Sequence, residues 1–292
     1  MKHMKNLSGL TCLVVAAGVA AVLAGCAGTC GVASKGTTLE YRMNDGDAAS
    51  YRMTSDMVQT MQYGETSVPV ESTEVLEFSV TSGGTEGGLI RLGVTVDDLS
   101  VVATSPQGSG EADVSGAVGG TFDMTLTRLG EEGSLPETDA VVYTLEPQGP
   151  KSLIPIFGAM FPDLPGHPID IGDSWPSTLE MIDDSGNSVV SVTIDAVNTL
   201  DGFETVGGMK CARISSVLSG TIEASGVQDG AEWSLSSATD GTGVCYFAHE
   251  DGLLVSDSTE GTADGSITVQ GPTGEIVIPV SRTYTMTTEL IQ

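Results

Sequence analysis

Nucleophilic chemistry would first be sought at Gly172-Asp173-Ser174, because a serine between small and acidic neighbours needs only a histidine to take its proton and a carboxylate to orient that histidine. The only later histidine is His249, and Tyr246 stands three positions before it where an aspartate would be required. The serine also falls mid-chain in a β-rich stretch, not on a strand-to-helix turn. Asp173 is therefore expected to cap a turn and Trp175 to fill a gap in the core. His167 and His249 are the only histidines beyond the leader, and no spacing joins them to a carboxylate in a zinc pattern. Asp97-Asp98, Asp183-Asp184 and Asn44-Asp45-Gly46-Asp47 offer loop oxygens for weak calcium binding, but none fits a twelve-residue calcium loop. Paired carboxylates drawn freely from 39 acids carry no information about glycoside hydrolysis. The expectation is a non-enzymatic chain with no resident metal and no cofactor.

The cysteines carry more. Lys2 and Lys5 precede an uncharged apolar run from Leu10 to Ala24, short of the ~20 residues that span a bilayer. That run ends in Leu23-Ala24-Gly25-Cys26, which resembles the bacterial lipobox at all four positions. The resemblance implies cleavage before Cys26 and a lipid on its sulfur; the alternative is an ordinary signal peptide with an incidental cysteine. Each buried CH₂ contributes ~0.8 kcal/mol, so several acyl chains on Cys26 would hold the chain to a membrane. Similarity to Gram-negative lipoproteins implies that Ala27 permits outer-membrane sorting in such a host. Cys30 lies in the tether. In an oxidising compartment Cys211 and Cys245 are the natural disulfide pair, closing a loop of about 35 residues for roughly 3 to 4 kcal/mol.

The formal charge of −28, more negative still once both leader lysines are removed, repels nucleic acid and anionic lipid headgroups. The expected partners are thus the membrane, through the lipid on Cys26, and an apolar ligand or an envelope protein.

Residues 1–25 read as signal peptide and 26–37 as a flexible tether of small residues. Residues 38–146 form a first β half. Tyr51, Met53, Met57, Met61 and Tyr63 share one parity, as do Leu76, Phe78 and Val80, then Ile90, Leu92, Val94 and Val96, and then Phe122, Met124 and Leu126. Ser82-Gly83-Gly84 and Gly119-Gly120 read as turns. Residues 147–176 hold seven of the twelve prolines, which marks a connection, and Lys151 to Phe161 is its candidate helix. This connector is also oily, with Leu153, Ile154, Ile156, Phe157, Met160 and Phe161, so it must be buried. Residues 177–292 form a second β half, with strands expected at 209–223, 231–237, 243–249, 253–259, 266–270 and 275–290.

The fold expected is mainly β, a curved antiparallel sheet or half-barrel of two similar halves in one domain, with the Pro-rich connector and its short helix packed on the concave face. A further resemblance rests on Leu164-Pro165-Gly166-His167-Pro168-Ile169-Asp170-Ile171-Gly172-Asp173-Ser174-Trp175, which is similar to the central Gly-Asp-x-Trp motif of uncharacterised bacterial exported lipoprotein β-families. Those families resemble the periplasmic lipoprotein-carrier group in architecture, and the likeness implies a twisted half-barrel that holds acyl chains. It defines no site residues. If such a cavity exists, its walls are expected to combine Met53, Met57, Phe78 and Leu92 with Phe157 and Phe161. The leading expectation is a non-enzymatic cell-envelope lipoprotein, exported and membrane-anchored, with an apolar ligand in a concave sheet. The alternative is a structural or adhesive surface protein that binds cations, glycans or protein partners through its acidic face, around a solid core.

Overall fold

The computed structural model describes residues 36–137, 140–146, 149–184, 188–228, 230–271 and 274–291. The segment expected to be the signal peptide and lipobox, with Cys26 and Cys30, lies outside the described residues. No described helix is long and apolar enough to cross a membrane.

Alternation of apolar and polar side chains builds nearly everything. A first meander comprises β1 (Ala48–Tyr63), β2 (Thr66–Glu86), β3 (Leu89–Ser105), β4 (Gly108–Glu111), β5 (Thr121–Thr127) and β6 (Glu132–Ser134). The hairpin β7 (Val142–Leu145) and β8 (Gly149–Ser152) follows, then a single helical turn, α1 (Ile154–Phe157). A second meander runs through β9 (Ser174–Asp183), β10 (Ser188–Val206), β11 (Met209–Gln228), β12 (Ala231–Ala248), β13 (Leu253–Gly271) and β14 (Gly274–Leu290). The last strand pairs antiparallel with the first, Met57 opposite Tyr284, so the two meanders fuse into one curved sheet with β6 and β9 at its edges and no closure into a barrel.

Parity predicts the inner face well. Tyr51, Met53, Met57 and Met61 are buried along one strand, as are Leu76, Phe78 and Val80 on the next. On β3 the buried positions switch from Val94 and Val96 to Leu99 and Val101, because a bulge opposite Glu77 and Phe78 inserts one residue and resets the phase. Asp97 and Asp98 sit at that bulge, where Ser79 donates to the Asp97 carboxylate and the Leu99 amide donates to Asp98 Oδ1 at 3.0 Å. The acidic pair is thus part of the bulge's hydrogen bonding.

Several expectations need correction. Ser82-Gly83-Gly84 is an irregularity within β2, and the turn comes at Gly87-Gly88. The runs 231–237 and 243–249 are one strand, as are 253–259 and 266–270, since the intervening Asp, Gly and Thr residues pair across β12 and β13 (Asp240 with Thr262, Gly241 with Gly261) and do not turn. Cys211 and Cys245 are free thiols. Cys245 is paired with Ile214, three positions from Cys211, and an odd offset puts the two sulfurs on opposite faces of the sheet. Cys245 joins the main core, while Cys211 joins a small outer cluster with Ala248 and Val255. The helix expected from Lys151 to Phe161 shrinks to four residues, because Lys151 belongs to β8 and Gly158 closes the turn.

Curvature has a visible source. A Cβ added at Gly220 would collide with the backbone of Thr193 and Ile194, and one at Gly265 with the backbone of Ser236 and Ser237. Only glycine lets the neighbouring strands coil so closely there.

Candidate functional site

The connector crosses the concave face through its aromatic side chains. Phe157 of α1 meets Phe78 of β2 edge-on at 5.1 Å and Phe122 of β5 at 4.9 Å. Phe78 stacks on Tyr51 at 5.4 Å, Tyr51 meets Phe161 at 6.4 Å, Phe161 meets Tyr41 at 5.8 Å, and Tyr41 meets Phe247 of β12 at 5.0 Å. A chain with only 5% aromatic residues thus strings seven of them from β5 to β12. Edge-to-face pairs of this kind contribute about 0.5 to 1.5 kcal/mol each beyond their buried area. The Tyr41 hydroxyl donates to the Pro162 carbonyl at 3.0 Å, and the Leu164 amide donates to Leu129 at 2.6 Å, which ties the connector down.

The six residues expected to wall a cavity are brought together only in part. Phe78 and Phe157 touch, and Phe161 joins them through Tyr51. Met53, Met57 and Leu92 belong to the same continuous core on β1 and β3. All six are buried, none above 5% exposure. In this arrangement the connector's own side chains occupy the concave face.

Where the connector leaves the core, the Gly-Asp-x-Trp motif performs the structural work expected of it. Asp173 accepts from the Asp170 amide at 2.8 Å and closes a turn. Trp175 is buried and donates its indole N–H to the Asp163 carbonyl at 3.4 Å. The Ser174 hydroxyl shares a hydrogen bond with that of Thr199 at 2.9 Å, while the His249 ring lies against Phe203 at 5.0 Å. His167 Nδ1 lies 3.1 Å from the Pro168 carbonyl oxygen. A nucleophile and its base are not assembled here. Asp47 accepts from the Asn44 amide and side chain at 2.6 and 2.9 Å, so the acidic run 44–47 is a self-closed turn. Among the described residues no cluster of three or more His, Cys, Asp or Glu could hold a metal ion.

Beneath Trp175 lies a cavity of about 20 Å³, room for roughly one water, lined by Pro162, Asp163, Asn198, Ser216, Cys245, Asp257 and others. Asn198 is satisfied: it donates to Ser177 at 2.7 Å and accepts from Ser216 at 2.6 Å. The acids are less comfortable. Burial, with Glu131 adding its charge, pushes Asp163 up to about 8, and burial pushes Asp257 up to about 7 against a lowering hydrogen bond from Thr259. Glu132 rises to about 8 through burial and the nearby charges of Asp163 and Glu131. On β2, burial alone raises Glu74 to about 7.

A second polar set lies at the middle of the inner face, and sequence reading passed over it. Arg282 on β14 is paired with Gln59 on β1, and its Nε donates to Gln59 Oε1 at 2.7 Å. Arg282 is 3% exposed and Gln59 0%. Both share the parity of apolar neighbours: Ile278, Val280, Tyr284 and Met286 flank one, Met57 and Met61 the other. A lone cation and a lone amide on that parity were the available signal. Nearby, Tyr284 donates to Thr239 Oγ1 at 3.2 Å, since the Thr239 hydroxyl is itself spent on the Thr262 carbonyl at 2.9 Å.

No family model matches the chain, and no curated protein matches it. Among solved structures it is similar to an outer membrane channel from Pseudomonas putida F1, at 9% identity over 89% of this chain and 100% of that one, TM-score 0.19. It is also similar to OccK11 (OpdR) from Pseudomonas aeruginosa, at 8% identity over 87% and 100%, TM-score 0.19.

Proposed function

We propose that this chain is a non-enzymatic lipoprotein of the cell envelope, anchored through Cys26, whose curved sheet takes up an apolar ligand between its concave face and the connector. One observation supports it above the others. A single segment from β7 to Trp175 covers the concave face and does so mainly with Phe157 and Phe161, side chains of the size and polarity that a bound acyl chain would replace. Methionines at 53, 57 and 61 line the sheet opposite with deformable side chains that adapt to varied apolar shapes. The lipobox and the motif at Gly172-Asp173-Ser174-Trp175 point to the same exported class.

The test is displacement of a neutral fluorescent probe, N-phenyl-1-naphthylamine, by acyl chains on the full-length protein. Probe uptake by wild type and its loss in Phe157→Glu, with circular dichroism unchanged, is the expected result. Equal uptake by both proteins would remove the connector from the ligand site.

One observation favours a second reading, a structural or adhesive surface protein: the six candidate wall residues are already buried in one continuous core. In that case the outer face does the binding. An open groove over β12 to β14 there carries the exposed carboxylates of Asp240 and Glu260 among Thr242, Thr262, Thr283 and Thr285.

A further inference from the structure

Gln59 and Arg282 are buried side by side on neighbouring strands. Because Arg282 Nε donates to Gln59 Oε1, the amide orientation is fixed, and Gln59 must present Nε2 as a donor. Gln59 Nε2, Arg282 Nη1 and Arg282 Nη2 are all buried, and none has a hydrogen-bond partner among the described residues. The unpartnered atoms of the cluster are therefore all N–H donors.

The surroundings do not neutralise it. Among the described residues no carboxylate stands within ion-pair distance of Arg282, and burial lowers its pKa only to about 10, which leaves it charged at neutral pH. On the inner face Glu74 lies opposite Ser55, four residues along β1 from Gln59, about 13 Å at the usual strand rise. Asp257 lies opposite Thr288, six residues along β14 from Arg282, about 20 Å by the same rise. Across β13 and β12 the neighbouring positions are Gly261, Ala263, Gly265, Ser237, Thr239 and Gly241. They are small and uncharged, so they supply no counter-charge.

A buried charge without a partner is strongly destabilising, and a protein that keeps one has a use for it. A guanidinium fork beside an amide donor matches the oxygens of a carboxylate or phosphate in a bidentate manner. The positions around the donors are apolar: Met57, Met61, Val70, Val280 and Ile278. We propose that Arg282 and Gln59 form an internal anion site for the head of a single-chain amphiphile, a carboxylate or phosphate whose tail runs along Met61, Val280 and Ile278. This rests on the apolar-ligand reading above and specifies its headgroup.

The test uses the full-length chain in dodecyl maltoside, with native mass spectrometry of palmitate, palmitoyl lysophosphatidate and neutral hexadecanol added separately. Wild type should take up one anionic amphiphile at least tenfold more tightly than hexadecanol, and whichever of palmitate or lysophosphatidate binds better assigns the head as carboxylate or phosphate. Arg282→Met should lose that preference while keeping hexadecanol, and without ligand it should melt higher than wild type because an unpaired cation has gone. Arg282→Lys, which keeps the charge but not the fork, should retain part of the preference and guards against misfolding of the first variant. If Arg282→Met binds palmitate and lysophosphatidate as tightly as wild type, or if wild type does not distinguish them from hexadecanol, the anion site is wrong although the apolar-ligand reading stands. If wild type takes up none of the three, both fall together.

Discussion

Phe157 meets Phe78 edge-on at 5.1 Å, and through that contact a four-residue helix in the connector is locked onto the second strand of the sheet. A one-turn helix has little stability of its own, so tertiary packing must hold it in place. Phe157→Ala should therefore cost about 3 to 5 kcal/mol, as large-to-small changes at buried aromatics do. Chemical denaturation would measure it; a loss below about 1 kcal/mol would show that the connector is docked by something else.

The buried acids make stability depend on pH in a defined sense. Asp163 and Glu132 are raised to about 8, and Asp257 and Glu74 to about 7, all above the ordinary carboxylate range. The folded state thus holds protons that the unfolded chain has released. Their contribution is fully present below about pH 4, falls as pH rises and is lost once pH passes 7 to 8. Lys151, lowered by burial, works in the opposite direction, and Arg282 stays charged throughout this window. The denaturation midpoint should be higher at pH 5.5 than at pH 8.5, and Asp163→Asn should flatten the difference. A midpoint that rises with pH would contradict these assignments.

Because Cys211 and Cys245 face opposite sides of the sheet, no disulfide should join them even in an oxidising compartment. Alkylation under denaturing, non-reducing conditions followed by peptide mapping should find both modified separately. A linked peptide would show that β11 and β12 pair in another register.

Glycines at the coiled part of the sheet should tolerate nothing larger. Gly265→Ala puts a Cβ against the backbone of Ser236 and Ser237 and should cost roughly 1 to 3 kcal/mol, the usual range for overpacking. Gly110→Ala, at a position with open space around it, is the control and should be near neutral. Equal effects at the two sites would remove close strand approach as the source of curvature.

Much of this fold was legible because alternation is a local signal. Tyr51 to Met61 declare one face of one strand with no help from the rest of the chain. Parity failed where the cause was not local. The bulge at Asp97 is visible only once β2 and β3 are paired, and the Asp-Gly segments of β12 and β13 look like turns until they are set against each other. The disulfide expectation failed for the same reason, since the faces of Cys211 and Cys245 depend on register. Arg282 and Gln59 were readable in principle, one cation and one amide on an apolar parity. Their significance needs the cross-strand pairing that puts them side by side, more than two hundred residues apart in sequence.

The central claim, an apolar ligand held beneath the connector, is tested most directly by native mass spectrometry with organic extraction of the full-length protein purified from its own membranes. The account predicts a co-purifying lipid that disappears in Phe157→Glu and Phe161→Glu while the circular dichroism spectrum is unchanged. A wild-type protein that carries no non-covalently bound lipid would contradict it and move the search to partners of the acidic outer face.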